Sequence, residues 1–266
     1  HRDLHSFPTR RSSDLCGIRL GAYGLDWPAR EGSRYEPLRA LVEELAALDG
    51  LARLRLGSIL PIDANPGLFT TLAASPRGCP HLHLPLQSGD DDVLQRMDRR
   101  YDTARFRRVV DEARAALGNP ALASDVMVGF PGETTAAFDR TLAFCAEIGF
   151  ADLHIFAYSP RPGTRAARWP DDVPPAEKAA RARALADLRD SLWREYHSHK
   201  LQTEAEVLIE QSDPEQAEVV GLSADYLRVR AKVDRARPGR EVGALVRVRL
   251  ESLDGEAGYG QVVANT

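Results

Sequence analysis

Between residues 54 and 158, short apolar runs with the period of a strand take turns with longer stretches of helical period. Strand patterns fall at 54–58, 81–87, 122–128 and 152–158, and helical patterns at 37–48, 66–73, 103–117 and 134–148. Strand and helix in strict alternation predict an α/β unit with a parallel sheet and right-handed crossovers. Segment 122–128 is nearly continuous in apolar residues, as a parallel strand covered on both faces should be. A further short strand is expected at 17–21, and Thr103 is expected to cap the helix at 103–117.

The stretch from His81 to Gly89 says most about where such a sheet would work. His81, His83, Pro85 and Gln87 point one way, and Leu82, Leu84 and Leu86 the other. The run ends in Gln87-Ser88-Gly89, and Asp90-Asp91-Asp92 follow as helix-starting acids. A strand that delivers polar groups to its C-terminal end before turning into a helix is how parallel α/β folds build sites. The plainer reading is a buried strand whose histidines are satisfied internally.

After Pro174 and Pro175 one long helical pattern runs to about His199, with Leu185, Leu188, Leu192 and Tyr196 as its stripe. Five short strand patterns then follow, parted by turn residues, which suggests a small OB-like barrel. The organisation expected is therefore a leader at 1–15, a barrel unit at 16–173, a linking helix at 174–199 and a β domain at 200–266. The leader has a burst of Arg and Ser and no apolar core. It reads as translated adapter sequence or a natural disordered tail, and neither reading gives it a fold. The formal net charge of -4 argues against a purely electrostatic nucleic-acid binder. No apolar run reaches membrane-spanning length, so a soluble, cytoplasmic monomer is expected. Cys16, Cys79 and Cys145 are too far apart for any CxxC pattern and make no self-contained metal site.

Four motifs in register add a resemblance. His81 to Gly89, Met97 to Tyr101, Asp125 to Glu133 and Tyr158 to Thr164 stand in the order and spacing of the radical-SAM tRNA methylthiotransferases. Among these the chain looks most similar to the branch acting on threonylcarbamoyladenosine. The resemblance implies a partial parallel (βα) barrel, here lacking its first strand, followed by an OB-like TRAM domain. It implies S-adenosylmethionine as cofactor, with Gln87, Ser88, Arg99, Asp125, Gly129 and Tyr158 at its site. A guanidinium fork such as that of Arg99 suits a carboxylate. A glycine such as Gly129 lets backbone approach a ligand closely. The family also uses [4Fe–4S] clusters on cysteine sets that this sequence does not contain. The family's Ser-Ile-Glu-Pro is here Ser58-Ile59-Leu60-Pro61, which removes one expected polar anchor.

For RNA, Arg228, Arg230 and Lys232 share one face of a strand, Arg235, Arg237 and Arg240 follow, and Tyr226 is placed to stack on a base. The expected activity is addition of a methylthio group to a hypermodified adenosine beside the anticodon, with tRNA, a reductant and a sulfur donor as partners. The chain by itself is expected to be inactive. The alternative is a catalytically silent SAM- or RNA-binding module. An aldolase-type barrel ranks last, because Lys178, Lys200 and Lys232 are the only lysines and none ends a strand pattern.

Overall fold

The computed structural model describes residues 12–17, 19–27, 36–234 and 241–265. Its first unit is an open run of five parallel strands in chain order. Strand β1 (Ser12–Leu15) pairs with β2 (Arg53–Leu56), and β3 (His81–His83), β4 (Ala121–Val128) and β5 (Asp152–Ala157) form the other sheet. The bridges Leu54–Gly78 and Ser58–His83 join β2 to β3. Helices α1 (Glu36–Ala46), α2 (Pro66–Ala74), α3 (Asp91–Arg96), α4 (Thr103–Leu117) and α5 (Thr135–Ile148) fill the connections.

Alternation decides which face each strand buries. Leu54, Leu56, Leu82, Leu122, Val126 and Leu153 point toward Phe69, Phe106, Val109 and Phe144 of the helices, and together they make the main core. The other, inner face carries Arg55, His81, His83, Asp125 and His154. A parallel sheet needs cover on both faces. Here that cover comes from helix α6 (Pro175–Ser198) and from a closed five-stranded barrel.

The barrel comprises β6 (Glu204–Asp213), β7 (Glu218–Ser223), β8 (Arg228–Lys232), β9 (Leu245–Asp254) and β10 (Ala257–Asn265), in the order β10-β8-β7-β6-β9. Its own core is Val207, Ile209, Val219, Val229, Val246, Val248 and Leu250, closed at one end by Trp193. Arg53 reaches across from β2. Its guanidinium donates to the Glu206 carboxylate at 3.0 Å, to the Leu222 carbonyl at 2.8 Å and to the Glu206 carbonyl at 2.6 Å. Arg55 donates to the Ser223 carbonyl at 3.3 Å.

The structure corrects four local expectations. Residues 12–15, given no fold above, supply β1, because the free edge of β2 takes them in parallel register and the Gly57 N–H extends the pairing to the Leu15 carbonyl at 2.7 Å. The strand expected at 17–21 is a 3₁₀ turn at Leu20–Ala22. Arg19 is drawn aside there by the fully buried Asp63, at 2.8 and 2.9 Å. Asp102, not Thr103, caps α4, accepting from the Arg105 N–H at 2.6 Å, as the charged acceptor at the positive helix end. Helix α6 buries Trp193 and His197 besides Leu185 and Leu192, because it packs against two partners instead of one. Residues 1–11 of the expected leader lie outside the described residues.

Candidate functional site

Polar side chains gather in two places on the parallel unit. The first is a cavity of about 310 Å³ on the inner face. Its walls are Arg55 of β2, His81 and His83 of β3 and His154 of β5, closed by Trp193 and His197 of α6 and by Asp225 and Tyr226 of the β7–β8 turn. Ala121, Ala123 and Ala151 line it too, and their small side chains leave its volume open.

Tyr226 stacks on His81 with ring centroids 4.8 Å apart, and the Arg55 guanidinium lies 4.6 Å from the same ring. Tyr226 has φ 73, in the left-handed region that aromatic residues seldom adopt. Such a backbone costs about 1–3 kcal/mol and persists only where the surroundings hold it. Burial pushes the His81 imidazole down to about 3, helped by the Arg55 charge, so the ring is neutral at pH 7. Its Nδ1 is buried and has no hydrogen-bond partner among the described residues.

Deeper along the strands, His83 and His154 both donate to one oxygen of Asp125. The distances are 3.1 Å from His83 Nε2 and 3.1 Å from His154 Nδ1, and the two imidazoles stack at 5.4 Å. Register explains the meeting, since His83 pairs with Ala123, and Asp125 pairs with His154. Burial by itself would raise the Asp125 carboxyl, but the hydrogen bonds from His154 and His83 outweigh it and hold the group well below the usual carboxylate range. His154 is raised in return, chiefly by its bond to Asp125.

The second place is the C-terminal ends of β3, β4 and β5. Gln87 has φ 69, its N–H donates to the Asp125 carbonyl at 2.8 Å and its carbonyl accepts from Met127 at 2.9 Å. Ser88 is fully buried, with its hydroxyl 3.2 Å from that of Thr141 on α5. Gly89 is needed for that packing, since a Cβ there would stand 2.7 Å from the Thr141 Cα. Gly129 has φ 72, and a Cβ on it would lie 2.3 Å from the Lys178 side chain. Its N–H donates to Glu133 at 2.6 Å, and Glu133 pairs with buried Arg181 at 2.7 Å. Tyr158 is buried edge-on against Phe130 at 5.2 Å, with Lys178 Nζ 5.2 Å from its ring. Lys178 is thus brought to the strand ends by α6, where Asp171 holds it at 2.6 Å. Arg99 is half-buried, and its Nε has no hydrogen-bond partner among the described residues.

The structure therefore brings Gln87 to Asp125 through the backbone and sets Gly129 and Tyr158 about Lys178, while Ser88 turns into α5. Arg228, Arg230 and Lys232 are exposed on β8, alternating with buried Val229 and Ala231. Arg230 and Lys232 lie 3.6 and 3.1 Å from Glu218. Tyr226 belongs to the cavity wall, and Arg235, Arg237 and Arg240 lie outside the described residues. Sequence reasoning did not single out His154, Trp193 and His197 as cavity residues. The signal for His154 was its strand parity with Phe156, and α6 gave none for its pair.

The cysteines do not suit an iron–sulfur cluster. Cys79 and Cys145 are buried, Cys145 within helix α5, whereas Cys16 is exposed at the cavity. Burial pushes the Cys145 thiol up to about 12, which is unfavourable for a thiolate ligand. Among the described residues the one convergent group of possible metal ligands is His83, Asp125 and His154, without a cysteine.

The model of the radical SAM superfamily matches residues 30–145. The threonylcarbamoyladenosine tRNA methylthiotransferase MtaB of Thermotoga maritima is 36% identical over 242 residues. That alignment takes in 91% of this chain and 52% of the relative, so the chain spans about half the length of the curated protein it matches. Among solved structures, the Escherichia coli coproporphyrinogen III oxidase HemN, a radical SAM enzyme, aligns with TM-score 0.47 and 15% identity, over 86% of this chain and 56% of that one. The archaeal Elp3 of Methanocaldococcus infernus aligns with TM-score 0.44 and 11% identity, over 90% and 74%.

Proposed function

We propose that the chain belongs to the radical-SAM tRNA methylthiotransferases, and that its inner cavity receives a tRNA nucleoside while its strand ends hold S-adenosylmethionine. The reaction class is addition of a methylthio group to a hypermodified adenosine beside the anticodon. Threonylcarbamoyladenosine is the nucleoside named for the relative in Thermotoga maritima. The observation that carries this reading is the shared wall of the cavity. Strand residues Arg55, His81 and His154 face Tyr226, which the small barrel presents in a costly backbone conformation. A half-exposed aromatic ring at the mouth of a cavity is a platform on which a base can stack.

At the strand ends, the unused Nε of Arg99 fits a ligand that carries a carboxylate. Gln87, Gly129 and Tyr158 are assigned to the rest of that site, whereas Asp125 joins it only through its backbone, since its carboxylate turns to His83 and His154. Bound there, S-adenosylmethionine would supply the methyl group; its radical cleavage would need an electron from a cluster that this chain's cysteines do not suit. Lys178 fills the space beside Gly129, so it has to give way if adenine is to approach that backbone.

The closed barrel takes the part of a TRAM domain, and the β8 face carrying Arg228, Arg230 and Lys232 supplies contacts to tRNA phosphates. A reductant and a sulfur donor complete the partners of a cytoplasmic enzyme. The cysteine arrangement favours a second reading for the chain taken alone: it binds tRNA or S-adenosylmethionine without turnover.

Binding of tRNA to the full chain across a salt series tests the proposal. The triple change Arg228→Ala, Arg230→Ala and Lys232→Ala should weaken binding and flatten its dependence on salt by roughly 2–3 in log–log slope. An unchanged affinity and slope would return that face to ordinary solvated charge.

A further inference from the structure

We infer that His83, Asp125 and His154 form a binding site for a divalent first-row transition cation, open to the inner cavity. Three donors from three neighbouring parallel strands converge, with all their ligand atoms within 4.8 Å of one another. His83 Nε2 and His154 Nδ1 each stand 3.1 Å from Asp125 Oδ1. An ion with bonds of about 2.1 Å places neighbouring ligand atoms roughly 3.0–3.4 Å apart at octahedral to tetrahedral angles. The two nitrogen–oxygen distances already match that spacing.

A second observation lies behind the ligands. His154 Nε2, the nitrogen turned away from Asp125, lies 3.9 Å from the Asp152 carboxylate. At that distance the carboxylate makes no hydrogen bond to the ring, but its charge favours a proton on Nε2, which leaves Nδ1 for a metal. His83 is buried more deeply than His154, and Ala123, opposite it in register, leaves the space beside it clear.

Two histidines and one carboxylate on one side of an ion leave its remaining positions open, as in zinc and ferrous sites that accept an exogenous ligand. Those positions face the cavity, where an oxygen or nitrogen donor of a bound molecule would complete the coordination. Zinc, cobalt and ferrous iron suit the donor set, whereas magnesium and calcium prefer oxygen alone.

Cobalt(II) added to the purified full chain provides the probe, read by its visible d–d absorption. The expected result is one cobalt per chain in a nitrogen–oxygen site, displaced by zinc. His83→Gln and His154→Gln should each weaken binding at least tenfold, and Asp125→Asn likewise, with folding checked by circular dichroism. His81→Gln, which alters the same cavity but lies outside the donor set, should keep the cobalt band. A folded chain with no cobalt band overturns the inference. So does binding indifferent to the His83 and His154 changes, or a thiolate charge-transfer band that assigns the ion to Cys16.

Discussion

The inner cavity and the strand ends belong to the same sheet, yet they are built on different principles. At the strand ends polar groups are mostly consumed by the fold. Ser88 locks to Thr141, Glu133 closes on Gly129 and Arg181, and Lys178 is held by Asp171. In the cavity the polar groups engage one another and the second unit, His83 and His154 on Asp125 and Arg55 on the Ser223 carbonyl, while alanines keep the volume and the second unit closes it. The strand ends are thus a frame whose unpartnered buried donors, among the described residues, are the Arg99 Nε and the Tyr158 hydroxyl. The cavity, in contrast, depends on how the small barrel docks.

That contrast can be broken most forcefully at Arg53. Its guanidinium is 3% exposed and satisfies two carbonyls and one carboxylate of the small barrel. Arg53→Ala should cost about 3 kcal/mol, since it strands buried acceptors and a carboxylate. Denaturant melts should show the loss, with the barrel transition separating from that of the parallel unit. A variant as stable as the parent would mean the two units are held by other contacts.

Arg99→Ala sharpens the other side of the comparison. A charge-assisted bond to a carboxylate is worth about 1.5–3 kcal/mol, so S-adenosylmethionine should bind roughly tenfold or more weakly while adenosine is unaffected. Calorimetry with both ligands reads the result, and equal loss for both would point to a distorted frame.

A smaller effect distinguishes the cavity by pH. His81 is held down to about 3 against an ordinary value of 6.5, so the unfolded chain binds its proton more readily. Its contribution to stability is complete above about 6.5 and is lost as pH falls toward 3. His197, lowered by burial, acts in the same direction. His81→Phe should flatten the decline of stability between these values. An identical pH profile in the variant would show that the ring is not kept neutral by burial.

Much of the fold was legible because it follows from period. The alternation of Leu54, Leu82 and Leu122 with their polar neighbours gives the sheet, and the five short β patterns give the barrel. Residues 12–15 were not legible as a strand, because four residues of Ser, Asp and Leu carry no period and pair only through β2. The site was half legible. Strand parity puts His81, His83 and Gln87 on one face, but sequence cannot say that Asp125 lies opposite His154, which is a matter of register. Nor does a helical stripe reveal that Trp193 and His197 face a cavity, since burial against a second unit looks like burial in a core. Tyr226 was singled out for its ring, and its docking on His81 is a property of the assembled units.

An anticodon stem-loop probes whether the cavity between the two units receives the nucleoside. Affinity of the full chain should be measured for a loop carrying threonylcarbamoyladenosine and for the same loop with plain adenosine, in the parent and in Tyr226→Ala. Stacking on an aromatic side chain is worth about 1–3 kcal/mol per base, or roughly fivefold to a hundredfold. The modified loop should bind more tightly, and most of that preference should be lost in Tyr226→Ala. Equal binding of both loops, unchanged by the loss of Tyr226, would contradict a nucleoside received in that cavity.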